Sequence, residues 1–220
     1  MIIAIDGPSG AGKSSLARSL AKRLGIIYVD TGALYRTIGL YVANKGIAAD
    51  NGDAIIASLS DITLELAFKD GVQDVLLNGE PVGDTIRTQK IAAYASAVSA
   101  IPKVREFLLD TQRNIAKKSS VIMDGRDIGT VIFPNADVKI FLTADDVSRA
   151  KRRFDELSAK GTLTTLEKVL EEMRERDKND STRATAPAIP AHDAVILDNS
   201  GMSLEETELA ALDIINSKLN

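Results

Sequence analysis

The apolar run Ile2-Ile3-Ala4-Ile5 stops at Asp6 and leads straight into Gly7-Pro8-Ser9-Gly10-Ala11-Gly12-Lys13-Ser14, a complete G-x-x-x-x-G-K-[ST] pattern. Leu16, Leu20 and Leu24 then recur at four-residue spacing, and Gly25 follows, so residues 14–24 read as a helix with a glycine stop. Strand, glycine-rich loop and helix form the setting in which this pattern cradles a phosphate. Gly7, Gly10 and Gly12 let the backbone curl so that several N–H groups face one anion. The helix start adds the positive end of its dipole. Lys13, expected to be exposed in the loop, supplies charge for the β- and γ-phosphates. Ser14 supplies a hydroxyl for Mg²⁺. Gly7, Pro8, Ser9, Gly10, Ala11, Gly12, Lys13, Ser14 and Ser15 are therefore the expected cradle of a nucleoside triphosphate. The alternative is a plain turn, which would rarely put Lys-Ser at the end of a strand-led loop.

The rest of the chain extends the opening. Residues 26–29 read as a second buried strand, and residues 33–45 as a helix stopped by Gly46. A strand-helix-strand-helix start predicts parallel strands with helical crossovers. Residues 62–68 then alternate apolar and polar with period two. Lys69-Asp70-Gly71 is a turn signal, Val72–Leu77 a second strand, and Asn78-Gly79 a hairpin turn. Residues 60–85 are thus expected to be a small antiparallel β insertion in a core made of 1–59 and 86–220. Helices are expected over 88–99, 103–116, 144–160, 163–179 and Leu204–Leu219. Further strands are expected at Val121–Asp124, 138–142 and 194–197. A turn-rich stretch, 184–191, holds Pro187 and Pro190. The fold class is α/β with five parallel strands flanked by helices, and 220 residues suit one such domain with a small appendage.

Composition narrows the chemistry. The 27 basic and 31 acidic residues give a net charge of −4, unlike a protein that grips nucleic acid through a basic surface. There is no cysteine and a single histidine, His192, so thiolate or histidine metal sites and a Ser/His/Asp triad are not expected. Met1–Ile5 has neither a basic start nor a long apolar stretch, so it is not expected to be a signal peptide, and no apolar run approaches the roughly 20 residues of a membrane span. A cytoplasmic chain without nucleic-acid or membrane partners is expected. No helix carries a sustained heptad, so a monomer is expected.

Binding a triphosphate leaves open a phosphotransferase or a hydrolysing switch or motor. The guanine-reading order Asn-Lys-x-Asp is missing; the nearest string, Asp177-Lys178-Asn179-Asp180, has the wrong order. Ligands collect at the carboxyl ends of strands in such sheets. Arg36, in Asp30-Thr31-Gly32-Ala33-Leu34-Tyr35-Arg36, lies where an acceptor would meet the loop, unless Asp30 or Thr31 is only a helix cap and Arg36 solvated. Val121–Asp124 ends in a carboxylate followed by Gly125-Arg126-Asp127. Asp124 is suited to orient Mg²⁺ water and Asp127 to accept from a base amino group. Arg176 and Asp180 share a helix face, with Arg183 beyond. Arg149, Arg152 and Arg153 form a further basic group. Solvated helix faces are the alternative for both clusters. Taken together, many arginines suit an acceptor that is itself a phosphate. Such an acceptor needs no general base, because its attacking oxygen is already anionic.

These strings resemble the bacterial cytidylate kinases, a family of nucleoside monophosphate kinases. The matching pieces are Ile5 to Ser14, Asp30 to Arg36, Ile86-Arg87-Thr88-Gln89, Val104-Arg105-Glu106, Asp124 to Thr130 and Glu175-Arg176-Asp177. The resemblance implies transfer of phosphate from ATP, with Mg²⁺, to CMP or dCMP. UMP or AMP as acceptor, or a P-loop ATPase switch, are the alternatives. It implies a monophosphate-binding insertion and a short lid near 148–163, carrying Arg149, Arg152 and Arg153 over the transferring phosphate. Thr31, Ser96, Arg105, Arg126 and Asp127 fall where the family holds the pyrimidine. Arg36, Arg126, Arg176 and Arg183 fall where it holds phosphate and ribose, with Asp180 on the ribose hydroxyls. Lys13, Arg126, Arg149 and Arg153 are the implied catalytic groups, and Ser14 and Asp124 the metal-side groups. Thr31 stands where many members have Ser, Ser14-Ser15 departs from the family's usual pair, and Ser181-Thr182 replaces a more basic one.

Overall fold

The structure is a computed structural model and describes residues 1–69 and 72–219. Among them, five strands form one parallel sheet in the order β2-β6-β1-β7-β8. Its strands are β1 (Ile2–Asp6), β2 (Ile27–Asp30), β6 (Val121–Asp124), β7 (Val138–Thr143) and β8 (Val195–Asp198). The inner strands are nearly continuous apolar runs, as a sheet covered on both faces requires. The remaining strands, β3 (Leu64–Lys69), β4 (Val72–Leu77) and β5 (Glu80–Pro81), form an antiparallel sheet.

By its contacts the chain divides into two compact units, Met1–Ile26 with Ile122–Asn220, and Ile27–Val121. The first holds β1, β7, β8 and most of β6. It also holds α1 (Lys13–Leu24), α6 (Asp146–Ala159), α7 (Leu166–Thr182) and α8 (Leu204–Leu219). Its core joins Ile3 and Ile5 of β1, Leu16 and Leu20 of α1, and Ile140 of β7, all fully buried. Gly25, in the left-handed region, ends α1, and its N–H reaches the Ala21 carbonyl. A separate cluster of Ala150, Val169 and Met173 joins α6 to α7.

The second unit holds β2, the antiparallel sheet, α2 (Thr31–Asn44), α3 (Gly52–Ser58), α4 (Gln89–Ser99) and α5 (Pro102–Ala116). Leu34, Ile38, Ile55, Val98, Val104 and Leu108 form its core. The residues expected as a β insertion, 60–85, lie inside this unit. Asn78 and Gly79 both take positive φ, 52° and 86°, and turn β4 into β5 as the Asn-Gly pair predicts. The expected Lys69-Asp70-Gly71 turn falls on residues 70 and 71, outside the described residues.

Three departures from the periodicity reading have local causes. α3 hides behind the turn-like pair Asn51-Gly52, where the Asn51 side chain caps the helix by accepting from Ala54 N. Thr165 caps α7, so the helix starts at Leu166 and Leu163 is left fully exposed. α7 continues to Thr182, since no glycine or proline interrupts it, and carries Asp180 inside the helix.

Leu108 is fully buried in the second unit's core. Leu108→Ala is expected to cost about 2–5 kcal/mol, read from the urea midpoint at unchanged slope. A loss below about 1 kcal/mol would mean that the α5 face is not packed as described.

Candidate active site

In the first unit, β1 delivers the glycine-rich loop. Gly7 has φ 146°, and a Cβ there would sit 2.0 Å from the Leu142 carbonyl oxygen, so only glycine lets the loop pass over β7. Lys13, expected to be exposed, is instead 6% exposed. It opens α1 beneath the loop, and its side chain turns back so that Nζ donates to the Pro8 carbonyl at 2.6 Å. Ser14 Oγ donates to Asp124 Oδ2 at 2.7 Å. Gly125 N donates to the Ile5 carbonyl, which fixes the end of β6 beside the loop. A hydroxyl and a carboxylate are hard oxygen donors that suit Mg²⁺ bound chiefly through phosphates and water. Among the described residues no cluster of three or more acidic or histidine side chains offers a self-contained metal cage.

The electrostatics are those of crowded, buried charge. Burial first, then Arg126, holds the Lys13 ammonium well below the ordinary lysine pKa; Asp124 and Asp6 oppose this and Arg176 adds to it. The charges of Arg126 and Arg176 thus both act on Lys13. Burial pushes the Asp6 carboxyl up to about 6, against the pull of the Gly129 and Ile128 N–H groups; Asp127 raises it further and Lys13 lowers it.

A chain of ion pairs surrounds Lys13. Arg126 Nε donates to Asp180 Oδ2 at 3.0 Å. Arg176 lies 4.0 Å from the same carboxylate, and Arg183 lies 3.8 Å from its other oxygen. Arg183 also stands 3.9 Å from Asp127 Oδ1. Arg176, Asp180 and Arg183 come from one face of α7 and its end. Asp180 is only 7% exposed, so this face is not a solvated one.

Of Arg149, Arg152 and Arg153, the structure brings one directly onto the loop. Arg149 Nη1 donates to the Ser9 carbonyl at 2.8 Å and to Asp177 Oδ2, while Asp177 Oδ1 accepts from Ser9 N at 3.0 Å. Arg149 also pairs with Asp146. Arg152 reaches the loop through Asn199, whose Nδ2 donates to the Ala11 carbonyl. Arg153 pairs with Glu156 on α6 instead. Asp177 and Asn199 were not singled out as site residues by the motifs. Asp177 stands inside the string Glu175-Arg176-Asp177, which gives it no role of its own.

The second unit positions its own candidates. Asp30 caps α2 through Ala33 N at 2.9 Å, and its other oxygen lies 3.5 Å from Arg36 Nη1, so Asp30 is both cap and partner. Gln73 grips the Asp30 backbone on both sides: Oε1 accepts from Asp30 N at 2.8 Å and Nε2 donates to Asp30 O at 3.2 Å. Thr31 is buried and Ser96 half-buried on α4. Arg105 is buried, donates to the Ser99 carbonyl at 3.0 Å, and lies 5.3 Å from the Tyr35 ring centre. Gln73 carries no motif signal, and Tyr35, though inside the Asp30 to Arg36 string, is not marked there as a partner of Arg105.

Comparison with known proteins bears on the whole chain. The family model described as cytidylate kinase matches residues 3–217. The cytidylate kinase of Caldicellulosiruptor saccharolyticus is 47% identical over 212 residues, 96% of this chain and 94% of that one. That of Geobacter sulfurreducens is 47% identical over 206 residues, 94% and 88%. In fold, the chain is similar to an uncharacterized protein from Eubacterium ventriosum, with a TM-score of 0.54 at 13% identity, over 99% of both chains.

The raised Asp6 pKa has a signed consequence for stability. The folded state binds this proton more tightly than the unfolded chain, whose carboxyl titrates near 3.8. Asp6 therefore favours folding most at low pH, and that contribution falls as pH rises from about 4 through about 6. At roughly 1.4 kcal/mol per pH step the change is about 3 kcal/mol at most. Asp6→Asn removes the titration, so its unfolding free energy should lack that decline relative to wild type. Urea unfolding across this pH range checks it; parallel wild-type and mutant profiles would contradict the assignment.

Proposed function

Because the chain belongs to the cytidylate kinase family, we infer that it transfers the γ-phosphate of ATP to CMP or dCMP, yielding ADP and CDP or dCDP. The observation that best supports direct transfer between two phosphates is the gathering of Arg126 and Arg176 about the buried Lys13. A site for a neutral hydroxyl acceptor would have little use for so much positive charge in one place.

The residue roles follow from their chemistry. The loop amides and Lys13 would hold the β- and γ-phosphates. An arriving polyphosphate opposes Arg126 and favours the charged ammonium of Lys13. Ser14 and Asp124 are the residues that would hold Mg²⁺, which supplies neutralising charge on the donor phosphates when bound. Arg126 and Arg149 would stabilise charge on the transferring group, with Arg153 drawn in from its pair with Glu156. Arg36, Arg176 and Arg183 would grip the acceptor's phosphate and ribose, and Asp180 would accept from the ribose hydroxyls. An acceptor phosphate oxygen attacks the γ-phosphorus, a new P–O bond forms, and the bond to the β-bridging oxygen breaks. The attacking oxygen is already anionic, so the chain supplies position and charge rather than a base.

Base choice falls to donors and acceptors at fixed places. Cytosine carries an amino donor at ring position 4, where uracil has a carbonyl. An ionised carboxylate only accepts and a guanidinium only donates. Asp127 would accept from the cytosine amino group and repel the uracil carbonyl. Arg105, held by Ser99 and Tyr35, would donate to the ring acceptors, and the hydroxyls of Thr31 and Ser96 would adapt to either base.

A buried polar group left unpaired costs about 1–3 kcal/mol, so the wrong base should lose roughly ten- to a hundredfold in kcat/KM. Asp127→Ala is expected to cut kcat/KM strongly for CMP and little for UMP. Steady-state kinetics with both nucleotides test this. A CMP:UMP ratio equal to wild type would remove Asp127 from base reading.

A further inference from the structure

Asp127 occupies the position before a single π-type turn, Ile128–Ile132. An aspartate there ordinarily folds its own carboxylate back onto the second or third amide of the turn. Here its side chain makes no capping bond, and Arg183 stands 3.9 Å from it. The amides that need capping are taken by a different residue. Ile128 N donates to Asp6 Oδ1 at 2.8 Å and Gly129 N to Asp6 Oδ2 at 2.7 Å. Both oxygens of one buried carboxylate thus cap the turn from the end of β1.

The rest of the turn is held just as closely. The Asp127 carbonyl accepts from both Val131 N and Ile132 N. Gly129 packs against Lys139 and Asp6, where a Cβ would come within 3.1 Å of Lys139 Cδ. Lys139 is buried and anchored by the Pro134 carbonyl and by Asp193. The backbone of the turn is therefore pinned from two sides, by Asp6 at its first two amides and by Lys139 against Gly129.

We propose that Asp6 is a positioning residue for acceptor choice: by holding the Ile128 and Gly129 amides it fixes the backbone from which the Asp127 carboxylate projects, and so sets where that carboxylate meets the base. This rests on the reading of Asp127 given above. Asp6 touches neither nucleotide in this scheme; it acts through Asp127. Removing its oxygens takes away the anchor of the two amides that follow Asp127 in the chain.

The test uses the full-length enzyme at a pH near 8, with Asp6→Ala, Asp6→Asn, Asp127→Ala and Asp6→Ala/Asp127→Ala compared to wild type. Readouts are kcat/KM for CMP and for UMP, with KM for ATP alongside. Asp6→Ala should narrow the CMP:UMP ratio about tenfold or more, with a smaller change in ATP KM. Asp6→Asn keeps the shape but only one acceptor, so it should narrow the ratio less, and it serves if the alanine variant fails to fold. The double variant should have the same ratio as Asp127→Ala alone. Asp6 variants that fold and lose activity equally toward both nucleotides would overturn the inference, since a purely structural residue does that. If Asp127→Ala itself keeps the wild-type ratio, the base reading fails and the inference falls with it. If Asp127→Ala narrows the ratio and neither Asp6 variant does, the inference alone fails.

Discussion

Lys13 is buried next to two other cations, and the surrounding structure has to make that tolerable. Like charges repel most where water is excluded, and a buried cation without partners would lose its proton or unfold its surroundings. The chain answers with carboxylates between the cations: Asp124 and Asp6 offset Lys13, and Asp180 joins Arg126, Arg176 and Arg183. None of these acids acts on its own element alone. Asp6 and Asp124 end parallel strands, while Asp180 lies within the last turns of α7. The parallel sheet therefore does more than form a core. Strands β1 and β6 end in Asp6 and Asp124, and both carboxylates act on Lys13.

Several backbone groups of the loop pair with the protein's own side chains. The Pro8 carbonyl takes the Lys13 ammonium, and Asp177 and Arg149 take both backbone groups of Ser9. Backbone groups of a curled loop need partners. Helices α6 and α7 supply some of them here, through Arg149 and Asp177.

Much of this was legible in the residues. The phosphate loop announces itself because its glycines, lysine and serine are fixed by local geometry at fixed spacing. Buried parallel strands are short apolar runs, and the Asn78-Gly79 hairpin depends on two adjacent residues with positive φ. What was less legible depends on contacts between distant parts of the chain. Lys13 was expected in the open because a loop lysine usually is; its burial follows from the way α1 tucks under Pro8. Asp6 reads as the last residue of a strand, and nothing local says that its oxygens cap amides more than a hundred residues later. Gln73 looks like one polar residue of an alternating strand, yet it brackets the Asp30 backbone. Arg153 looked equivalent to Arg149, but one turn further along α6 it pairs with Glu156 of its own helix instead of Asp177.

The central claim is that the positive charge about Lys13 serves an acceptor that is itself a phosphate, on a cytosine nucleotide. ADP formation in a coupled assay, with CMP, dCMP, UMP, AMP and shikimate offered one at a time, tests it most directly. CMP or dCMP should exceed the other acceptors by at least about tenfold in kcat/KM, a difference of about 1.4 kcal/mol, with little ADP formed when no acceptor is present. Equal turnover without any acceptor, or a preference for UMP, AMP or the phosphate-free shikimate, would contradict the account.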